Sequence, residues 1–425
     1  MAMEGHYLWR MRNAAILLTA LTGHLYAQDC SLPYNQPLFD TQVEQGIWYG
    51  NATRYDGGTD SLRFNLYKPV GDGQTERPIV VAIHGGGFTE GHRNDLNGYC
   101  NTLASMGWAC ATISYRLGFH GSWLFAPPYA NDVYELPRAI HRAQQDAKGA
   151  VRFLKGRHEQ DSTSTSVVFL TGYSAGAITA LHTAYTDQES ERPAAAAAIG
   201  DVQHFLNLYP RPDLGDIDGD LNQNGFDATV LGVNNMYGAV LDTSMVDGTD
   251  RPALFSYHQT DDPVVPCWVN RPYWGIGLGI PDAHPYLFGS CAIDTRVQHI
   301  GAPPGHYQFQ LHQGNAHEVH DPAGVMQASL AWMRGLFCDV QTRIPDNGPP
   351  GSLHLHPNPA TTVVQVLDPA MGERTRYELY NALGARVTDG TMKNGRIAVA
   401  ELAPGSYVLR TSAGKDVRYG RFMKE

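Results

Sequence analysis

Long apolar runs, clustered positive charge and metal-spaced cysteines are all scarce in this chain. Each scarcity removes a class of function. No segment approaches the roughly 20 consecutive apolar residues of a transmembrane helix; the run Ala14 to Leu21 is too short. A formal net charge of −11 argues against a nucleic-acid surface, and no polybasic patch offers itself to anionic lipid. The six cysteines (Cys30, Cys100, Cys110, Cys267, Cys291 and Cys338) follow no zinc-site spacing.

What is present begins with length. The 425 residues, 43% of them hydrophobic, suit two domains with a sizeable core. From Leu353 to Glu425 there are 10 Lys+Arg and 7 Asp+Glu, a net of +3, which leaves −14 for the rest. Arg10 and Arg12 precede the short apolar run, and Leu25-Tyr26-Ala27 offers a small residue for cleavage, so residues 1–27 read as a signal peptide. All six cysteines follow it. An even number in an exported chain suggests disulfides, and six allow fifteen pairings. The preferred set is Cys267–Cys291, Cys100–Cys110 and Cys30–Cys338.

The pattern predicts a mainly parallel α/β sheet over residues 28–344. Ile79–Ile83 and Ala109–Ser114 are buried strands, and Leu62–Tyr67 alternates as a strand does. Pro137–Lys155 repeats apolar residues at helical spacing. Val167–Leu170, Gly232–Tyr237, Ala253–Tyr257 and Tyr307–Leu311 are later strands, and a last helix starts at Asp321-Pro322. Residues 345–352 are a Pro/Gly-rich linker. Residues 353–425 hold short alternating segments separated by turns, as in a small β-sandwich.

Gly172-Tyr173-Ser174-Ala175-Gly176 lies between a strand and a helix-forming stretch. That context marks a nucleophile elbow, where a strained turn holds a serine hydroxyl clear of the sheet. A serine hydroxyl needs a base, an orienting acid and donors for an oxyanion. His84-Gly85-Gly86-Gly87-Phe88 follows a strand, so the amides of Gly86, Gly87 and Ala175 are the candidate donors. Asp262, before Pro263, is the candidate acid, preferred over Asp261. His317 is the candidate base, with His320 as the fallback and His312 nearer the strand.

These segments resemble the α/β-hydrolase superfamily, in particular its bacterial carboxylesterases, from about Leu62 to Leu336. Ser114-Tyr115-Arg116-Leu117-Gly118, Gln145-Asp146-Ala147 and Ala150-Val151-Arg152-Phe153-Leu154 add to the likeness. The segment before His317 departs from the family, lacking the glycine often found there. The resemblance implies a carboxylic ester hydrolase working through an acyl-enzyme, with no required cofactor. Short acyl or aryl esters are the expected substrates, with acetyl or feruloyl groups on polysaccharide as examples. A polyester or polyhydroxyalkanoate depolymerase and a serine peptidase are the alternatives; an inactive surface binding protein is the non-enzyme reading.

Leu355-His356-Pro357-Asn358-Pro359-Ala360, Tyr377–Gly384, Leu402–Leu409 and Gly420–Lys424 resemble the type IX secretion sorting domain of Bacteroidetes, with His356 where an aromatic is usual. The resemblance implies the type IX machinery as partner and a secreted or cell-surface location; a binding β-module is the other use. Asp216, Asp218, Asp220, Asn222 and Asn224 form an oxygen-rich loop that could hold a structural calcium, though Leu231 stands where a calcium loop needs glutamate. A solvated acidic loop is the plainer reading. Trp123, Phe125, Trp268 and Trp274 are expected near the site, packing loops or lining a pocket.

Overall fold

This computed structural model describes residues 30–122, 129–204, 206–247, 252–303, 305–338, 353, 355–356, 359–366, 375–381, 385–413 and 416–425. The signal segment 1–27, the linker 345–352, Trp123 and Phe125 lie outside the described residues. The chain divides into two compact units, Met1–Cys338 and Asp339–Glu425.

The first unit is built on an eight-stranded sheet. Its strands are β1 (Thr41–Thr53), β2 (Thr59–Pro69), β3 (Arg77–Ile83), β4 (Ala109–Ile113), β5 (Thr163–Tyr173), β6 (Gly232–Met236), β7 (Ala253–Gln259) and β8 (Tyr307–His312). The order is β1-β2-β4-β3-β5-β6-β7-β8. β1 and β2 run antiparallel, and every pairing from β4 to β8 is parallel. β1 has no counterpart among the expected strands. Two register shifts, between Glu44 and Ile47 and between Trp48 and Gly50, break its period of two.

Alternate residues of each central strand feed opposite layers. Ile79, Val81 and Ile83 join one buried cluster, while Val80 and Ala82 join the other. Helices α2 (Glu135–Gly156) and α3 (Ala175–Tyr185) supply the first layer, and α1 (Asn97–Ser105) and α5 (Pro322–Cys338) the second. A further helix, α4 (Ser290–Ile300), follows an insertion after β7 that holds the short strands Val269–Asn270 and Leu287–Gly289. Disulfides join Cys30 to Cys338, Cys100 to Cys110 and Cys267 to Cys291. The first ties the start of the unit to the end of α5.

The second unit is all-β. One antiparallel sheet joins Leu355–His356, Val363–Val366 and Arg396–Ala398; another joins Arg386–Thr391, Arg376–Asn381, Gly405–Ala413 and Asp416–Lys424. Val364, Leu379, Ile397, Leu409 and Phe422 form its own core.

Candidate active site

The elbow is dictated by two close backbone approaches. A Cβ on Gly172 would sit 2.2 Å from the Gly176 carbonyl, and one on Gly176 would sit 2.1 Å from the Ile83 carbonyl. Only glycine fits either position. Ser174 between them has φ 55° and ψ −123°, a conformation that costs a non-glycine residue on the order of 1–3 kcal/mol. β5 ends at Tyr173 and α3 begins at Ala175, so the serine stands at the seam.

Ser174 Oγ lies 2.8 Å from His317 Nε2, and His317 Nδ1 lies 2.7 Å from Asp262 Oδ2. The carboxylate can only accept, so Nδ1 carries the proton and Nε2 is left to accept from the serine hydroxyl. That is the tautomer a general base needs. Asp262 follows β7 and His317 follows β8, so neighbouring strands bring the candidate acid and the candidate base together. The stacked rings of His312 and His320, 3.8 Å apart, form a separate pair, and the His320 amide donates to Tyr257 Oη. Asp261 holds no part of this chain of bonds; its amide donates to the Gly314 carbonyl.

Asp262 is fully buried. Burial pushes its carboxyl up, but hydrogen bonds from His258 and His317 outweigh it and hold the pKa below 3.8. The amides of Val264 and Val265 both donate to Oδ1 (2.8 and 3.1 Å), fixing the carboxylate plane.

Three neighbours were not anticipated. His258 Nε2 donates to the Val265 carbonyl (2.9 Å) and lies 3.5 Å from Asp262 Oδ2, while its Nδ1 accepts from Ser290 Oγ (2.8 Å). The Gln259 side chain splints the base loop, donating to the Glu318 carbonyl and accepting from the Ala316 amide, each at 3.0 Å. Tyr237 sets its ring edge-on to His317 at 4.6 Å. His258 and Gln259 sit inside the segment that names the acid, but no pattern separates them from ordinary strand residues.

The glycine turn after β3 is turned by its carbonyls. Gly85 O lies 2.8 Å from His84 Nδ1, and Gly86 O accepts from the amides of Thr89 and Glu90, each at 3.0 Å. A trans peptide points its N–H opposite its C=O, so the Gly86 and Gly87 amides face away from those partners. Among the described residues these amides and that of Ala175 donate to no protein acceptor. Gly87 and Ala175 border, with Ser174, a cavity of about 30 Å³ walled by Phe88, Phe119, Leu136, Ile178 and Tyr273. Gly86 lies one residue behind, at φ 111°.

Trp274 donates its indole N–H to the Asp262 carbonyl and is 41% exposed; Trp268 is 57% exposed. Neither lines the cavity beside Ser174. In the oxygen-rich loop, Asp218 pairs with Lys148, and the Asn222 and Asn224 amide nitrogens donate to carbonyls of Gly149 and Arg152 on α2. These contacts fasten the loop to the helix. Among the described residues no group of three or more His, Cys, Asp or Glu side chains is arranged to hold a metal. Nor is any described helix long and apolar enough to cross a membrane.

Comparison with known proteins is consistent with both units. Residues 64–270 match the family model BD-FAE, and residues 354–425 match the secretion system C-terminal sorting domain. Gut esterase 1 of Caenorhabditis elegans is 33% identical over 124 residues, 28% of this chain and 20% of that protein. Neuroligin-like protein glit-1 of the same species is 30% identical over 120 residues, 28% of this chain and 15% of that one. The chain thus spans a fifth or less of the length of these curated relatives. Among solved structures, the apo form of Thermogutta terrifontis esterase 2 is 13% identical, covering 72% of this chain and 97% of that one, with a TM-score of 0.44. A truncated carbohydrate esterase from gut microbiota is 15% identical, covering 72% and 99%, with a TM-score of 0.42. The chain therefore joins an esterase-like α/β-hydrolase domain of the BD-FAE type to a C-terminal sorting domain of type IX secretion.

Proposed function

We propose that the protein is a serine carboxylic ester hydrolase, secreted or held at the cell surface, that works through an acyl-enzyme on short-chain acyl esters. The observation that carries this reading is the unbroken chain of hydrogen bonds Ser174–His317–Asp262. His317 Nε2 takes the hydroxyl proton as Ser174 Oγ attacks the ester carbonyl. Asp262 stabilises the imidazolium that forms. The Gly87 and Ala175 amides, with Gly86 behind them, meet the developing oxyanion at the N-terminus of α3, whose dipole favours negative charge. His317 then protonates the leaving alcohol and activates water for deacylation. No cofactor enters these steps.

The acyl side is narrow. A cavity of about 30 Å³ holds roughly two water-sized groups. That suits an acetyl methyl and is far short of an aromatic acid, so we place acetyl ahead of feruloyl. The sorting domain supports a role on extracellular material, for which ester-substituted polysaccharide is the fitting class.

The test is hydrolysis of acetyl, butyryl, long-chain and feruloyl esters and aminoacyl anilides by the purified protein. Acetyl and butyryl esters should be cleaved, and Ser174→Ala should abolish cleavage with the folded state intact. Activity on anilides alone would replace the esterase reading with a peptidase.

A further inference from the structure

A second cavity, of about 810 Å³, lies between the β1–β2 turn, α2 and the 209–223 segment. It shares no lining residue with the pocket beside Ser174, yet the two are back to back. Phe119 and Leu136 line the smaller one, and their chain neighbours His120 and Glu135 line the larger. Its volume falls in the range of roughly 300–1,000 Å³ usual for small-molecule sites.

Its lining holds five arginines (Arg54, Arg116, Arg138, Arg142 and Arg211) and five carboxylates (Asp56, Glu135, Asp213, Asp216 and Asp220), but they are unevenly paired. Arg54 pairs with Asp56, Arg116 with Asp146, and Arg211 with Asp132 and Glu135. Arg138, 3% exposed, donates only to the carbonyls of Ala195, Ala197 and Pro212. Arg142, 2% exposed, donates to the Gly118 carbonyl, and its Nε has no hydrogen-bond partner. Among the described residues neither of the two forms an ion pair. Burial, then the charges of Arg116 and Arg138, pull the Arg142 guanidinium down to about 9 against the opposing pull of Glu135 and Asp146. His120, 4% exposed, also has an Nε2 without a partner; its ring is held by Tyr55 (5.1 Å) and Tyr209 (4.7 Å).

We propose that this cavity binds a ring-borne carboxylate of the hexuronic acid class, its carboxylate on Arg142, a ring hydroxyl on His120 and its ring against Tyr55 and Tyr209. The planar guanidinium fork matches a carboxylate in geometry and charge. The aromatic faces supply the apolar contact that a sugar ring needs. Asp56, Glu135, Asp213, Asp216 and Asp220 also line the cavity and repel a dianion such as phosphate more strongly than a monoanion. The site needs nothing from the proposed ester chemistry.

Binding is measured calorimetrically on the full chain carrying Ser174→Ala, with glucuronate, glucose and inorganic sulfate as probes. Glucuronate should bind saturably, and glucose and sulfate should not. Arg142→Met should weaken glucuronate by about tenfold or more while, in the Ser174 protein, ester cleavage persists. Should Arg142→Met fail to fold, the three probes on the parent still decide the matter. Absence of saturable glucuronate binding, equal binding of glucose or sulfate, or full affinity in a folded Arg142→Met protein would each overturn the proposal. None of these outcomes bears on ester cleavage, which is read separately.

Discussion

Asp262 serves two imidazoles with one oxygen: His317 at 2.7 Å and His258 at 3.5 Å. His258 already reaches the Val265 carbonyl at 2.9 Å and stands farther from the carboxylate, whereas His317 lies within hydrogen-bond distance of both Asp262 and Ser174. Removing the Asp262 charge while keeping its shape therefore attacks the tautomer of His317. Asp262→Asn should lower kcat on a short ester by about 10⁴-fold, with binding of the ester little changed. A kcat within tenfold of the parent would show that the base is oriented by something else. The carboxylate also stabilises the fold. Its folded pKa is depressed, so the contribution is fully present above the ordinary 3.8 and is lost as pH falls through the lowered value.

At the scale of elements, the elbow is a packing problem before it is a catalytic one. α3 crosses β3 so closely that Gly176 faces backbone carbonyls of both Ile83 and His84. Backbone cannot yield as a flexible side chain does. Gly176→Ala should cost about 3 kcal/mol or more, read as a lower urea midpoint, and should displace Ser174 enough to suppress cleavage. A variant of parental stability would mean that the helix tilts away at little cost. α2 raises the opposite issue. Its apolar stripe faces the sheet, but Arg138, Arg142, Lys148, Arg152 and Lys155 on the rest of its surface are buried too. Arg142 donates to the Gly118 carbonyl, and the 195–229 segment covers the other four, accepting hydrogen bonds through its carbonyls and the carboxylates of Asp218 and Asp227. Polar residues on a helix predict solvent; here they predict a lid made of loop backbone.

Across the whole first unit, the burial of histidines should set the acid limit. His141 and His182 are buried, and desolvation lowers each from 6.5 to about 4. Between those values the unfolded chain binds protons that the folded one refuses. Stability should therefore be full above about pH 6.5 and fall as the pH drops toward 4, on top of carboxylate losses at lower pH. Urea midpoints across that interval check this. His182→Gln should flatten the slope, and an unchanged slope would assign the acid limit to other groups.

Sequence alone determined the features that are local in the chain. The GxSxG turn, the apolar runs of the central strands and the helix start at Pro322 all rest on neighbouring residues. The same holds for the turn-rich sorting segments. Some features were beyond its reach because they depend on contacts between distant segments. Bulges in β1 erased the alternation that would have revealed it. The choice of His317 over His320 came down to which ring the β7 and β8 loops turn toward Asp262, a matter of three-dimensional register. Gln259 meets the loop that carries His317 only because β7 lies beside β8, and His258 meets Val265 and Ser290 only because the segment after β7 folds back over it. Arg138, Lys148, Arg152 and Lys155 of α2 acquired their meaning from a segment 57–74 residues further on, because a charge declares its environment only once the fold has decided what covers it.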